Sequence, residues 1–268
     1  MTLKREYISS RQNPKIKNLI LLQKSNERKK QNLFLIEGEK EIEKAINTGY
    51  ELEALYYCGE IISEENISKL FQKNLPTQLF EVSKDVFDKI AYRQDSGGMV
   101  LLAKPRPHSF AGLSLSDNPL ILVLEGVEKP GNIGAIYRTA DAAGVTAVII
   151  CDQGTDLYNP NAIRASLGCV FTVPTIICTG QDAVNWLQQQ NITIYASYLK
   201  AAEHYHKADY TKASAIVMGT EATGISDLWV EAAYKNIIIP MKGQADSMNV
   251  STATAVLVFE ACRQRNFV

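Results

Sequence analysis

A chain of 268 residues is long enough for two compact domains, and its composition, 46% hydrophobic and 21% charged, is ordinary for a globular protein. No apolar run approaches the roughly 18 residues that a membrane-spanning helix needs. The polar N-terminus lacks the apolar core of a signal peptide. The five cysteines form no CxxC pair, which is typical of small buried side chains in a reducing compartment. We therefore expect a cytoplasmic protein with no membrane partner.

The charge of the chain is unevenly distributed although its net value is only −1. Residues 1–35 contain nine basic and two acidic side chains, so this segment carries +7 and the remainder carries −8. Such asymmetry predicts a polyanion-binding end on an acidic body. A solvated basic helix is the alternative. The candidate contact residues are Arg11, Lys15, Lys17, Arg28, Lys29 and Lys30.

The first hundred residues alternate between short helices and strands. Apolar side chains at helical spacing predict one amphipathic helix over residues 14–30. Strands are predicted over 33–36, 52–57, 79–82 and 98–102, and helices over 40–47, 67–72 and 84–91. We expect a basic helical arm over 1–30 and a small α/β domain over 31–103. The segment around Pro105 and Pro107 disfavours regular structure, which predicts a linker over 104–118.

The second half reads as another α/β unit, over residues 119–268. Strands are predicted over 120–124, 147–151, 192–196, 213–218 and 236–239, and helices over 133–143, 183–190 and 250–263. The continuous apolar strand 120–124 is typical of a parallel sheet covered on both faces. The last helix is apolar on most faces, through Val256 and Phe259, so we expect it to be buried.

The first of three polar loops follows strand 120–124 and reads EGVEKPGNIGAIYRTADAAG. Asn132 is a suitable N-cap and Gly144 a suitable C′ residue for the helix that follows. Arg138 lies off the apolar stripe, so it is available to a substrate or a partner subunit. Capping alone is the alternative role of Asn132. The spacing is not GxGxxG, which disfavours a nicotinamide-dependent oxidoreductase.

The second and third loops also end buried strands. In AIVMGTEATG, Gly219 permits close backbone approach at a strand end, and Glu221 could accept from an amine or a ribose hydroxyl. In IIIPMKGQADSMNVSTATA, Ser247 and Asn249 stand at the start of the last helix, where either could be its cap. Three such loops together predict a single cofactor site. The His204-x-His206 pair has no third ligand at a recognisable spacing, so we expect no metal.

These motifs resemble those of the SpoU (TrmH-like) RNA 2′-O-ribose methyltransferases. The resemblance covers roughly residues 119–265 and rests on three segments, Gly131 to Ala140, Met218 to Gly224, and Ile239 to Ser251. The N-terminal part is similar to the ribosomal-protein-like RNA-binding domain that many members carry. The resemblance implies S-adenosylmethionine as cofactor, a trefoil-knotted parallel sheet, a homodimer, and a methyltransferase domain over 119–268 preceded by an RNA-binding domain.

The resemblance also implies roles for individual residues. The cofactor-binding residues would be Gly219, Thr220, Glu221, Ile239, Met241, Ser247, Met248 and Asn249. The catalytic surroundings would comprise Asn132, Arg138, Glu221, Ser247 and Asn249. The chain departs from the family pattern at Met248, where Leu is common, and at Ala222, where Gly is common. Leu and Met have similar volumes, so the first departure is tolerable. The second argues against a positive φ at position 222.

The resulting expectation is transfer of a methyl group to a ribose 2′-hydroxyl of structured RNA, with large-subunit rRNA as the expected substrate. A tRNA substrate and a non-catalytic RNA-binding or ribosome-assembly factor are the alternatives. Because arginine stays protonated in proteins, we expect Arg138 to orient a phosphate and stabilise the developing alkoxide rather than act as a base.

Overall fold

The computed structural model describes residues 5–72, 75–92, 97–152, 156–201, 203–220 and 223–267. The chain forms two compact units. The first unit contains Met1–Pro107 and Asp156–Thr172, and the second contains His108–Thr155 and Val173–Val268. The division after Pro107 falls inside the predicted linker. The prediction placed all of 119–268 in one domain, whereas Asp156–Thr172 packs with the first unit.

The secondary-structure elements are numbered along the whole chain. The strands are β1 (Arg5–Ile8), β2 (Phe34–Glu37), β3 (Leu52–Tyr57), β4 (Gln78–Val82), β5 (Met99–Ala103), β6 (Leu120–Glu125), β7 (Ala147–Cys151), β8 (Thr175–Cys178), β9 (Thr193–Ser197), β10 (Glu203–His204), β11 (Ser214–Met218) and β12 (Lys235–Ile238). The helices are α1 (Pro14–Leu21), α2 (Ser25–Gln31), α3 (Glu39–Asn47), α4 (Glu64–Leu70), α5 (Lys84–Ile90), α6 (Pro130–Ala142), α7 (Pro160–Ala165), α8 (Cys169–Thr172), α9 (Gly180–Gln189), α10 (Asp227–Ala232) and α11 (Val250–Gln264). Within the described ranges, no helix combines the length and the apolarity needed to cross a bilayer.

The first unit is built on a five-stranded sheet in the order β1-β4-β3-β5-β2. β1, β4 and β3 pair in parallel, whereas β5 is antiparallel to both β3 and β2. The core against the sheet includes Ile16, Leu19 and Leu22 from the basic segment. The predicted arm is therefore an integral part of the first unit, held by burial of its apolar side chains.

The single helix predicted over 14–30 is wrong, because the chain breaks into α1 and α2. Arg28 explains the break. Its side chain is 3% exposed, and one guanidinium nitrogen donates to the carbonyl oxygens of Leu22 (2.8 Å) and Gln23 (2.7 Å). Its Nε donates to Asp156 at 2.8 Å. The guanidinium thus satisfies carbonyls at the end of α1 and ties them to a segment 128 residues away.

Aromatic packing holds the segment Asp156–Thr172 within the first unit. The ring of Tyr158 lies 4.2 Å from that of Phe34, and Phe171 meets Tyr50 edge-on at 5.0 Å. Both Tyr158 and Phe171 are buried, so removing this segment from the first unit would expose large apolar surfaces.

The second unit contains a seven-stranded sheet in the order β10-β12-β9-β11-β6-β7-β8, and every neighbouring pair is parallel. The predicted α/β class with a parallel sheet is confirmed. All six residues of β6 are buried, as expected for a strand with both faces covered. β8, β10 and α10 were not predicted. α11 packs against α6, but the expectation that it is wholly buried is wrong, since Phe259 is 42% exposed.

Candidate cofactor site

The sheet of the second unit brings the three predicted loops to one edge. β6 and β11 are hydrogen-bonded neighbours, and β12 lies beyond β9 on the other side of β11. Because the strands are parallel, the loops that follow β6, β11 and β12 all emerge at the carboxyl edge of the sheet, where α/β folds bind their ligands.

The first loop enters α6 earlier than predicted. Lys129 is the N-cap and Pro130 occupies the first helical turn, so Asn132 lies inside the helix and the prediction that it is the cap is wrong. Proline is favoured in the first turn because it lacks the N–H that would be unpaired there. Gly144 follows the helix with φ +64°, as predicted for a C′ residue. Arg138 is exposed, which agrees with its predicted position off the buried stripe.

The second loop folds back tightly on itself. Thr220 and Gly224 exchange two backbone hydrogen bonds, of 3.0 and 3.1 Å, and the Thr220 hydroxyl accepts from the Thr223 N–H at 2.9 Å. A Cβ on Gly219 would lie 2.2 Å from the carbonyl oxygen of Gly224, so only glycine fits there without moving the loop. Glu221 and Ala222, which the sequence singled out, lie outside the described residues.

The third loop connects to the first through two amide side chains. Of the two candidate caps, Asn249 is the N-cap of α11, and its Oδ1 accepts from the Ser251 N–H at 3.0 Å. Its Nδ2 donates to Oδ1 of Asn132 at 3.2 Å. This bond joins two of the predicted catalytic residues across 117 positions of sequence. Ser247 is exposed, with its hydroxyl 3.5 Å from Asp246 Oδ1.

A cavity of about 350 Å³ lies between the second and third loops. Most of the predicted cofactor residues line it: Gly219, Thr220, Ile239, Met241, Ser247 and Met248. Asn132, Arg138 and Asn249 are not among its lining residues. A further group of lining residues was missed: Ser197, Tyr198, Leu199, Lys200, Thr223, Ile225, Asp227 and Asp246. One of these ends β9 and three follow it, and the carboxyl end of this strand could have been recognised as part of the same edge.

Two cysteines face each other at the neighbouring strand ends. Cys151 of β7 is in register with Cys178 of β8. A hydrogen bond from Cys151 lowers the pKa of the Cys178 thiol below its usual range, and the same bond raises the pKa of Cys151. None of the five cysteines forms a disulfide within the described residues. In the part of the chain that the structure describes, no cluster of three or more His, Cys, Asp or Glu side chains could hold a metal.

The basic candidates in the first unit differ in accessibility. Lys17, Lys29 and Lys30 are exposed. Arg11 forms an exposed ion pair with Asp85, and Lys15 pairs with Glu6 at 3.0 Å. The burial of Arg28 and its bonds to Asp156 and to two carbonyl groups argue against the predicted RNA contact of that residue.

Comparison with known proteins places this geometry in a family. The model of the SpoU rRNA methylase family matches residues 119–259, and that of the MRM3-like substrate binding domain matches residues 13–101. The 23S rRNA (guanosine(2553)-2′-O)-methyltransferase RlmP of Bacillus subtilis is 29% identical over 94% of this chain and 97% of its own length.

Two solved structures share the fold over almost the whole chain. A crystal structure described as an RNA 2′-O ribose methyltransferase has a TM-score of 0.84 and 39% identity, covering 97% of this chain and 100% of its own. The AdoMet-bound rRNA methyltransferase of Sinorhizobium meliloti has a TM-score of 0.88 and 27% identity, with 97% and 98% covered.

The parallel sheet with its three convergent loops thus defines an α/β methyltransferase class. Within that class, the chain belongs to the SpoU rRNA methylase family. The family resemblance inferred from the three motifs is confirmed.

Proposed function

We propose that the protein transfers a methyl group from S-adenosylmethionine to a ribose 2′-hydroxyl of large-subunit rRNA. The observation that carries this proposal is the convergence of three loops at one edge of the sheet, with Asn132 bonded to Asn249 beside the cavity. The relatives named as 23S rRNA 2′-O-methyltransferases support the choice of rRNA.

The cavity suits S-adenosylmethionine in size and chemistry. Its volume of about 350 Å³ lies within the range of small-molecule sites. Its wall combines apolar side chains such as Ile225 and Ile239 with the carboxylates of Asp227 and Asp246. The cofactor carries a sulfonium and an ammonium group, and carboxylates favour such cations. Backbone at Gly219 and Met248 would hold the cofactor, which supplies an electrophilic methyl group when bound.

Four residues of the predicted catalytic set prepare the acceptor. Transfer requires the 2′-oxygen in line with the methyl group and its proton removed or strongly polarised. The Asn249 amide nitrogen donates to the Asn132 amide oxygen, which orients both side chains without adding a net charge. Arg138 is exposed on α6, so its guanidinium is available to grip a phosphate and stabilise the developing alkoxide. Ser247 adds a hydroxyl at the edge of the cavity.

The first unit binds the RNA in this proposal. The exposed Lys17, Lys29 and Lys30 lie on α1 and α2, within a segment of net charge +7. Such a surface attracts phosphates independently of base sequence and makes binding strongly salt-dependent. The match to a substrate-binding domain over 13–101 supports this assignment. The target is a loop or flipped nucleotide, because a ribose within a duplex is hard to reach.

The active form is proposed to be a cytoplasmic homodimer with a trefoil-knotted second unit. Phe259 on α11 is 42% exposed and Phe267 is 69% exposed, which gives this end of the unit an apolar surface suited to a second copy. Phe259→Asp is expected to shift the sedimentation coefficient from dimer to monomer. Tyr234→Asp, which changes another exposed aromatic residue, serves as control and should leave the dimer intact.

The proposed reaction is tested with tritiated S-adenosylmethionine and total RNA from cells that lack the gene. Label should enter 23S rRNA at one nucleotide, and the bond 3′ to that nucleotide should resist alkali, because a 2′-O-methyl group blocks the attacking hydroxyl. Label that enters tRNA alone would contradict the choice of rRNA and make tRNA the substrate. Cofactor binding with no label in any RNA would favour the non-catalytic alternative.

A further inference from the structure

Glu125, the last residue of β6, carries a buried carboxylate outside the predicted catalytic set. It is 8% exposed, and both of its carboxylate oxygens accept hydrogen bonds from Ser226. The Ser226 backbone N–H lies 2.7 Å from Oε2 and its hydroxyl lies 2.6 Å from Oε1. A buried carboxylate is costly unless it is well hydrogen-bonded, and here one residue supplies two short bonds.

Ser226 stands where the second loop ends and α10 begins. It is the N-cap of α10, yet its side chain makes no capping bond and points to Glu125 instead. Its neighbours Ile225 and Asp227 both line the cavity. The two bonds from Ser226 to Glu125 therefore restrain this part of the cavity wall through residues that do not line the cavity themselves.

The opposite end of the same loop also touches the end of β6. A Cβ on Gly126, which follows Glu125, would lie 2.9 Å from the Thr220 methyl carbon. Thr220 in turn bridges to Gly224. The end of β6 thus contacts the second loop near Thr220 and at Ser226. These two points restrain both ends of the loop.

We infer that Glu125 is a positioning residue, which holds residues 219–220 and 223–225 in the conformation that binds the cofactor by anchoring Ser226. Glu125 is not among the residues that line the cavity, so it acts only through that serine. If the end of β6 served stability alone, an apolar side chain would do as well, because a buried charge seldom stabilises more than a well-packed apolar group. The inference rests on the proposed use of this cavity for S-adenosylmethionine.

Three variants test the inference by calorimetry with S-adenosylhomocysteine. Glu125→Gln keeps the shape of the side chain but removes its negative charge, and its amide NH₂ can meet the Ser226 hydroxyl only as a donor. Both charge-assisted bonds become weaker neutral bonds, so Kd should rise at least tenfold, equivalent to about 1.4 kcal/mol. Ser226→Ala removes only the hydroxyl bond and should raise Kd about fivefold. Ser226→Thr retains both donors and should bind like the unmodified protein.

The double variant and the kinetics separate positioning from general stability. Glu125→Gln combined with Ser226→Ala should raise Kd by less than the product of the two single effects, because both changes act on one contact. At saturating cofactor, kcat and the KM for RNA should stay near their original values, while the KM for the cofactor rises. Glu203→Gln, which removes a half-buried carboxylate paired with Lys235, is the matched control and should change none of these values.

Several outcomes would overturn the inference. One is an unchanged Kd in Glu125→Gln and Ser226→Ala at a temperature where both are folded, even if Tm falls. Another is full additivity of the two effects. If Glu125→Gln fails to fold, the Kd values of Ser226→Ala and Ser226→Thr still test the inference, since both are small changes of one side chain. Failure of the unmodified protein to bind S-adenosylhomocysteine would instead refute the proposed function.

Discussion

The substitution Gly219→Ala would place a methyl group against the backbone of its own loop. The added carbon would lie 2.2 Å from the Gly224 oxygen, 2.3 Å from the Gly224 carbonyl carbon and 2.5 Å from the Ile225 nitrogen. Moving the oxygen from 2.2 to 3.0 Å requires a shift of 0.8 Å. Such a shift would break or strain the two backbone bonds that Thr220 exchanges with Gly224.

Each of those bonds contributes roughly 0.5 to 1.5 kcal/mol to stability. Losing both should therefore destabilise the cofactor-binding conformation of the loop by about 1 to 3 kcal/mol. This corresponds to a roughly 5- to 150-fold rise in the Kd for S-adenosylhomocysteine, measured by calorimetry. Gly243→Ala is the matched control, because a Cβ there meets nothing within 4 Å and Gly243 does not line the cavity. Equal affinities for the two variants would refute the reasoning that a closed second loop is needed for cofactor binding.

Three further predictions concern the acceptor, the RNA and the strand-end thiols. Arg138→Lys keeps the charge but loses the planar fork, so single-turnover methylation should fall about 100-fold with an unchanged Kd for the cofactor; near-normal transfer would exclude the clamp role. Replacing Lys29 and Lys30 by Gln should reduce the slope of log Kd for rRNA against log salt by roughly 1.5, measured by filter binding. Alkylation of Cys178, followed by mass spectrometry, should have its midpoint below the usual thiol range, because Cys151 donates a hydrogen bond to the thiolate, and Cys151→Ala should move that midpoint upward.

Controls make the last two results specific. Replacing Lys69 and Lys89 by Gln removes the same charge from exposed positions of the first unit outside the basic segment, and the salt slope should change less. An equal change for both pairs would mean that net charge, rather than α2, governs binding. For the thiols, an alkylation midpoint that is the same with and without Cys151 would show that the hydrogen bond does not control Cys178.

The sequence predicted most of the second sheet, because strands covered on both faces are continuous apolar runs. The predicted strand 147–151 coincides with β7, and 120–124 differs from β6 by one residue. β8 was not predicted because its four residues form too short an apolar run to distinguish from a loop. The cap of α6 was misplaced since Asn132 and Pro130 both suit a helix start, and the proline determines the first turn.

Other features depend on contacts that no local pattern contains. The break between α1 and α2 follows from Arg28 meeting Asp156, far away in sequence. The segment Asp156–Thr172 lies within the matched methylase region, yet its aromatic residues pack with the first unit. A fragment beginning near residue 119 would therefore lose the packing partners of Tyr158 and Phe171. The proposal that the first unit binds RNA is better tested in the full chain, with substitutions on α2.

A crystal structure of the full chain with S-adenosylhomocysteine tests the central claim most directly. The account predicts the ligand in the cavity between residues 218–227 and 238–250, within contact of Gly219, Ile239 and Met248, while the bond between Asn132 and Asn249 persists. A ligand bound elsewhere, or a saturated crystal with this cavity empty, would contradict it.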